Sequence, residues 1–246
     1  MLHQNVAPGV HRVEDAYTNW FLVEDDGGVT IVDAGVPTSW HSLQDALQQI
    51  GRRRQDVKAL VLTHAHFDHI GFAERARREL DIPVYVHEND YPLTKRPRQF
   101  SYERRRLPYY LTQLKALPIV AAMVRSRALW PTPIGESVRY TNGSLPVPGS
   151  PRVLNTPGHT VGHCSLHFPD RDLLLAGDAF VMLDPYTAER GPKIVAGAAT
   201  ADSRRDLETL DAIGESGAGT IVTGHGDPWT GGAAEAVRVA RERGPS

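Results

Sequence analysis

The segment Thr63-His64-Ala65-His66-Phe67-Asp68-His69 decides how the fold and function of this 246-residue chain are interpreted. Three imidazoles and one carboxylate stand in its last six residues, directly after a short apolar run at 59–62. Imidazole nitrogens and carboxylate oxygens are donors that bind zinc and similar first-row metals. The segment therefore predicts a metal site at the end of a buried strand.

The spacing inside this segment predicts two metal positions. In an extended segment, residues two apart face the same side, so His64 and His66 can bind one ion together. If a helix starts at Gly71, Asp68 and His69 are turned toward a second position nearby. One stretch of chain then supplies part of two sites.

Three later segments offer the remaining donors in the same context. Each has an apolar strand, one or more small residues and then a donor, at 153–159, 173–178 and 220–225. The donors that end these segments are His159, Asp178 and His225. Strand ends converge at one edge of a layered sheet, and small residues let the backbone approach closely. We expect all seven donors to meet at such an edge.

The rest of the chain alternates short strands with helices, which is typical of a layered α/β domain. Three apolar runs between residues 10 and 32 predict a β-meander, and a helix is expected from Thr38 or Ser39 to Gly51. The other predicted strands are 59–62, 84–86, 153–154, 165–168, 173–175 and 220–222. The other predicted helices are 72–80, 204–213 and 233–243.

A basic segment interrupts this pattern. Between Tyr91 and Trp130 nine Lys or Arg residues face one acid, a net charge of about +8, which leaves about −10 for the other residues of a chain whose total is −2. Prolines divide the segment into short helices. We expect one domain spanning residues 1–246 with a helical, basic insertion at about 91–135.

The insertion has three interpretations. It can be a solvated helical surface, a cap whose arginines receive an anionic substrate, or a contact for RNA or DNA, although no nucleic-acid recognition motif is present. Its apolar side chains either wall a substrate pocket or dock the insertion onto the core. These side chains are Tyr109, Tyr110, Leu111, Leu114 and Trp130.

Composition excludes several classes of protein. A net charge of −2 and a pI near 6.6 give no overall attraction to nucleic acid or anionic membranes. The single cysteine, Cys164, cannot form an intramolecular disulfide. Residues 1–10 do not resemble a secretion signal, and no apolar run approaches the roughly 20 residues that span a bilayer. We expect a cytoplasmic protein that does not bind membranes.

These motifs resemble the metallo-β-lactamase superfamily of hydrolases. The stretch 64–69 fits the family's central motif at its fixed positions, and the three later donors follow in the expected order. Asp33-Ala34-Gly35 is similar to the family's first motif. The resemblance covers roughly residues 9–90 and 150–246, and it implies an α/β fold built as a four-layer αββα sandwich, with the helical insertion outside it.

The resemblance also implies a ligand set for two divalent metal ions. The first ion would be bound by His64, His66 and His159, the second by Asp68, His69 and His225, with Asp178 bridging them. Asp33 would support the ligands from behind, and we expect His163 to play a similar part. We expect the ions to be Zn²⁺, with iron and manganese as alternatives.

A binuclear site of this kind implies hydrolysis by a metal-bridging hydroxide, since even one zinc can lower the pKa of a bound water to about 7. The substrate would be an ester, lactone or thioester, and Asp68 would handle the proton passed to the leaving group. We expect a small-molecule substrate, anionic if the arginines of the insertion receive it. The expected substrate contacts are Tyr109, Tyr110 and Tyr186.

Branches of the superfamily differ in ways that bear on the substrate. Members that hydrolyse β-lactams lack the bridging aspartate, so Asp178 argues against antibiotic hydrolysis. The glyoxalase II branch adds a C-terminal helical domain, whereas here only about twenty residues follow His225. In the lactonase branch a catalytic tyrosine closely follows the bridging aspartate, and the nearest tyrosine here is Tyr186, eight residues on.

Three rival functions stay open at this point. A persulfide dioxygenase-like protein would hold one iron on His64, His159 and Asp178. A nucleic-acid-processing hydrolase would use the basic insertion to bind its substrate, although the overall charge makes nucleic acid a less favoured partner. A protein that binds a ligand without turnover is the third, and self-association into a homo-oligomer is also left open.

Overall fold

Two mixed β-sheets lie face to face in the computed structural model, which describes residues 1–245. The first sheet has seven strands in sequence order, and its first four are antiparallel neighbours while the next three pairings are parallel. Its strands are β1 (Leu2–Ala7), β2 (Val10–Asp15), β3 (Thr18–Asp25), β4 (Gly28–Val32), β5 (Val57–Val61), β6 (Val84–His87) and β7 (Val138–Tyr140).

The second sheet has five strands. They are β8 (Gly143–Ser144), β9 (Arg152–Asn155), β10 (Cys164–Phe168), β11 (Leu173–Gly177) and β14 (Thr220–Thr223), and they lie in the order β14-β11-β10-β9-β8. β11 and β14 are parallel, and the other pairings are antiparallel. A separate hairpin consists of β12 (Val181–Leu183) and β13 (Arg190–Lys193).

Helices cover the outer face of each sheet. α1 (Ser39–Gln49) and α2 (Ala73–Glu79) pack on the first sheet, and α7 (Asp211–Gly214) and α8 (Ala233–Arg243) pack on the second. α6 (Ser203–Thr209) directly precedes α7. The four-layer αββα sandwich implied by the sequence is thereby confirmed.

Strand alternation explains why the sheets form the centre of the molecule. Along β3, Trp20 and Leu22 pack against the helices, whereas Phe21 and Val23 pack against the second sheet. All four side chains are almost fully buried. A strand that is covered on both faces reads as a continuous apolar run, which is the pattern that identified this strand in the sequence.

The basic insertion between β6 and β7 contains three short helices. They are α3 (Tyr91–Lys95), α4 (Arg106–Thr112) and α5 (Leu117–Arg125). Over residues 1–245 the longest helices have 11 residues, so none has both the length and the apolar character to cross a membrane.

Some predicted elements differ from the structure. The helix predicted at 204–213 is divided into α6 and α7, and five strands were not expected from the sequence. These are the polar or very short strands β1, β7, β8, β12 and β13. Their pairing is decided by neighbouring strands and not by an apolar pattern of their own.

The helix after the histidine-rich segment begins at Ala73 and not at Gly71. Gly71 instead lies against the loop that follows β4, and its N–H donates to the carbonyl of Gly35 at 2.8 Å. A Cβ at Gly71 would stand 2.2 Å from the backbone carbon of Val36. Only glycine allows the two backbones to approach so closely.

This close approach predicts that Gly71→Ala lowers the free energy of unfolding by about 1 to 3 kcal/mol, the usual range for overpacking in a filled interior. Urea unfolding of the metal-free protein measures this. Gly214→Ala is the matched control, because its Cβ would make only ordinary contacts near 3.8 Å with Val237. Equal stability of the two variants would show that the packing at Gly71 is not tight.

Candidate metal centre

The seven predicted donors lie at the edge where strands of both sheets end. β9 and β11 are each antiparallel to β10, and β14 is parallel to β11, so β9, β11 and β14 run in the same direction. The donors His159, Asp178 and His225 follow the carboxyl ends of these three strands, and the segment 64–69 follows β5. The expected convergence of strand ends is what brings distant parts of the chain together.

A first cluster consists of His64, His66 and His159. One nitrogen from each ring lies within 4.8 Å of the others, and all three side chains are buried. This is the first triplet that the sequence resemblance implied.

A second cluster consists of Asp68, His69 and His225. One donor atom from each again lies within 4.8 Å of the others, and the three residues are buried. The second implied triplet is therefore also assembled.

Asp178 lies between the two clusters. Its Oδ2 is 3.6 Å from Nε2 of His159 in the first cluster. The same oxygen is 3.6 Å from Nε2 of His69 and 3.3 Å from Nε2 of His225 in the second. A carboxylate in this position can contact two ions at once.

The donor atoms have the character of metal ligands. Within the described residues, five buried donor atoms of this site have no hydrogen-bond partner, although buried polar groups are almost always paired. These atoms are Asp178 Oδ1 and the Nε2 atoms of His64, His66, His69 and His159. Imidazole nitrogens and carboxylate oxygens that lack hydrogen-bond partners fit a pair of divalent ions.

Asp33 connects and orients two of the histidines from behind. Its carboxylate accepts hydrogen bonds from the backbone N–H and the hydroxyl of Thr63, each at 2.8 Å, and lies 3.0 Å from Nδ1 of His69. Thr63 Oγ1 in turn is 3.0 Å from Nδ1 of His64. With Nδ1 engaged, Nε2 of both rings faces the site, as is usual for metal-binding histidines.

The backbone of Asp33 is also unusual. Its φ is 59°, in the left-handed region that residues other than glycine rarely adopt. The three hydrogen bonds on its carboxylate over-determine this conformation, which is how strained residues persist at functional sites.

Asn19 of the first sheet holds the loop that carries His225. The backbone N–H of Asn19 donates to the carbonyl of Gly224 at 2.7 Å. Its side-chain amide donates to the carbonyls of Thr223 and Gly226 at 2.9 and 2.7 Å. His225 is thus tied to the opposite sheet, and its own Nδ1 lies 2.7 Å from a carbonyl oxygen of that sheet's β2–β3 turn.

His163 supports Asp178, although it lies outside both clusters. Its Nε2 accepts the backbone N–H of Asp178 at 2.9 Å, and its Nδ1 lies 3.1 Å from the carbonyl of Thr156. Gly177, at φ 56°, leaves the space for this ring, since a Cβ there would stand 2.6 Å from Nε2. The contact positions the aspartate that joins the two clusters.

Burial sets the charge of the first cluster. Burial lowers the pKa of His64 and of His66 well below the ordinary value of 6.5, and it lowers the pKa of His159 to about 4. The three rings are therefore neutral near pH 7, which is the form of imidazole that binds metals.

The second cluster is governed by its carboxylates. Burial by itself lowers the pKa of His69 and His225, but the adjacent Asp178 outweighs it, with help from Asp33 and Asp68, and the pKa of both rings is raised. For Asp178 burial acts to raise the pKa, and His225 and His69 more than reverse this, so its pKa lies well below the ordinary value. Asp178 is an anion held by cationic partners, a place that metal ions can take.

Asp90 joins the two loops that carry the first cluster, and its role was not predicted from the sequence. Its carboxylate accepts hydrogen bonds from the N–H of Ala65 at 2.9 Å, the N–H of Gly162 at 2.7 Å and the hydroxyl of Thr160 at 2.7 Å. Burial raises its pKa, and these three hydrogen bonds oppose the shift. Like Asp178, it follows the end of a strand, in this case β6, and that position was the signal in the sequence that could have identified it.

The three tyrosines predicted to contact substrate are not equivalent. Tyr110 and Tyr186 line a cleft whose floor is formed by donors of the two clusters. The ring of Tyr109 lies 6.0 Å from that of Tyr186 and lines a different surface groove, together with Arg104 and Arg105. The structure therefore brings two of the three to the site.

Comparison with known proteins agrees with this arrangement. The model of the metallo-beta-lactamase superfamily matches residues 13–225. The probable metallo-hydrolase YflN of Bacillus subtilis (strain 168) is 30% identical over 243 residues, which cover 92% of this chain and 86% of that protein. The N-acyl homoserine lactonase AttM of Rhizobium radiobacter is 27% identical, with 85% of this chain and 82% of that protein covered.

A solved structure shows the same architecture. The metallo-beta-lactamase family protein TTHA1429 from Thermus thermophilus superposes with a TM-score of 0.69 at 25% identity. The match covers 96% of this chain and 79% of that one.

The position of Asp90 predicts that Asp90→Ala weakens metal binding about 10- to 100-fold, the range for residues that orient metal ligands. Competition with a chelator of known affinity measures the effect. Asp90→Asn, which keeps the shape but replaces one accepting oxygen by a donor, should also weaken metal binding. Glu88→Ala is the matched control, because Glu88 is exposed on the same turn. Unchanged affinity in a folded Asp90→Ala protein would contradict the role assigned to this residue.

Proposed function

We propose a hydrolytic function from one premise: the chain belongs to the metallo-beta-lactamase superfamily. In our proposal it is a binuclear metal-dependent hydrolase, with zinc as the expected metal, that cleaves an ester, lactone or thioester. The observation that carries the proposal is the pair of donor clusters joined through Asp178.

The second cluster favours a binuclear centre over a mononuclear one. A mononuclear iron oxygenase would need only His64, His159 and Asp178. Here Asp68, His69 and His225 form a triplet as compact as the first. A binuclear centre would use all seven donors, whereas one iron bound in this way would leave the second triplet without an ion.

The ligands we propose are the seven predicted from the sequence. His64, His66 and His159 would hold one ion and Asp68, His69 and His225 the other, with Asp178 shared. Bound divalent metals supply an activated water at neutral pH and polarise the carbonyl that is attacked. Imidazole and carboxylate donors suit zinc, and they also accept iron or manganese.

Residues of the cleft can transfer a proton to the leaving group and bind the substrate. The Asp68 carboxylate borders the cleft and lies 3.5 Å from Nε2 of His225 through its Oδ2. From there it can take up a proton and deliver it to the leaving group. The hydroxyl of Tyr186 can donate a hydrogen bond to a substrate oxygen, because burial raises the pKa of this phenol and keeps its proton in place. Phe67 adds an apolar side chain to the lining of the same cleft.

One relative supports the proposed acyl class of the substrate. AttM, which is named as a lactonase, is similar to this chain over most of its length. Cys164 offers no competing nucleophile, because it is buried and burial raises the pKa of its thiol. The proposal therefore gives no role to this thiol.

The direct test combines metal analysis with a substrate panel. Protein purified without added metal should contain about two metal ions per chain, and it should hydrolyse members of a panel of esters, lactones, thioesters and β-lactams. One iron per chain together with oxygen consumption would favour the dioxygenase-like alternative. A protein with both ions bound that cleaves nothing in the panel would refute the proposal.

Asp178→Ala should lose most of its bound metal and lower kcat at least about 10³-fold, because the carboxylate joins both clusters. Elemental analysis and steady-state kinetics measure the two effects on the same sample. Asp170→Ala provides the control, since Asp170 is exposed and lies outside the site. A variant at position 178 that keeps full metal content and turnover would show that the binuclear assignment is wrong.

A further inference from the structure

The cleft above the donors has apolar walls. It opens to solvent, and about 80 Å³ inside it is accessible to the centres of water-sized molecules. Five of the donors form its floor, and the main domain adds Phe67, Val195 and Ala199 to its sides. Most of the remaining wall comes from the insertion.

The insertion turns one apolar face toward the donors. Six of its side chains line the cleft: Tyr110, Ile119, Val120, Met123, Val124 and Leu129. Four of these lie on α5 at spacings of one, three and four residues, which places them on one side of the helix. Ile119 and Met123 are also buried against Val36 and Leu183, so this wall is fixed to the main domain.

The cations of the insertion do not line the cleft, although Arg106 is close enough to Tyr186 to oppose the rise in its pKa that burial causes. Among the described residues, no Lys or Arg lines the cleft. The Arg106 guanidinium stacks 4.4 Å from the ring centre of Phe100, and its Nε donates to the carbonyl of Ala198. Lys95 donates to the carbonyl of Ile134 at 2.8 Å, and Arg104 lines the separate groove shared with Tyr109.

We propose that the insertion selects uncharged substrates that carry an apolar chain, with α5 as the wall against which that chain packs. The inference rests on the proposed hydrolase function, since it specifies the substrate class of the same site. Each methylene buried against such a wall strengthens binding about fourfold. A carboxylate at the end of the chain would lose its hydration without gaining a cationic partner.

Two exposed apolar side chains of the insertion, one at the cleft and one away from it, allow a matched pair of variants. Leu111 is 68% exposed and does not line the cleft, whereas Val124 is 48% exposed and does. Both positions tolerate a long polar side chain, because each reaches solvent. An arginine at 124 would place a cation at the wall, and an arginine at 111 would not.

The experiment compares p-nitrophenyl esters with acyl chains of two, four, six and eight carbons on the metal-loaded protein. We expect kcat/KM to rise about threefold to fourfold per methylene until the cleft is filled. The mono-p-nitrophenyl ester of adipic acid, which has six carbons and a terminal carboxylate, should be at least tenfold poorer than the hexanoate. Val124→Arg should reduce this preference at least tenfold, and Leu111→Arg should leave it unchanged.

A binding measurement separates this inference from the proposed reaction. Hexanohydroxamate and the monohydroxamate of adipic acid both bind through the metals without turnover, so calorimetry compares their affinities directly. Preference for the alkyl compound, reduced in Val124→Arg but not in Leu111→Arg, supports the apolar wall even if no ester is cleaved. Equal affinity, preference for the carboxylate, or equal effects of the two arginines would overturn it, whether or not the protein is a hydrolase.

Discussion

The Asp178 carboxylate, buried among imidazoles from both halves of the chain, is the contact on which the rest of the site depends. A carboxylate away from water is costly unless cations or hydrogen-bond donors compensate it. Here the compensation comes from His69, His159 and His225 at 3.3 to 3.6 Å, and from the His163 ring that fixes the backbone of Asp178. Gathering these buried donors costs folding free energy in the metal-free protein. Divalent metals compensate this cost when they bind, so metal binding stabilises the folded state.

The packing of the two sheets brings the donor residues close to one another. The two sheets pack through the side chains on their facing surfaces, and the donor loops follow strand ends of both sheets. Hydrogen bonds then join the ligand loops of one sheet to the other, as Asn19 does for the His225 loop. Asp90 likewise joins the loop after β5 to the loop after β9. The positions of the donor side chains therefore depend on several loops that the fold holds in place, and no single motif determines them.

Much of the site could be predicted from the sequence because its signals are local. The types of donor, their spacing in 64–69 and the apolar strand before each later donor are all readable without a structure. The role of Asp90 was not predicted, because its partners are two backbone N–H groups and a hydroxyl from other segments. The difference between Tyr109 and Tyr110 could not be predicted either, since adjacent residues of a short helix point in different directions and only the packing of α4 decides which one reaches the cleft. The sequence left open whether the apolar side chains of the insertion wall a pocket or dock it onto the core. In the structure Tyr110 lines the cleft, while Ile119 and Met123 both line it and pack against the main domain.

Crystals of the metal-loaded protein, with anomalous diffraction recorded at the absorption edge of the bound metal, test the central claim most directly. We expect two peaks, one among His64, His66 and His159 and one among Asp68, His69 and His225, with the Asp178 carboxylate between them. A single peak in a fully loaded crystal, or a second peak away from these residues, would contradict the binuclear centre.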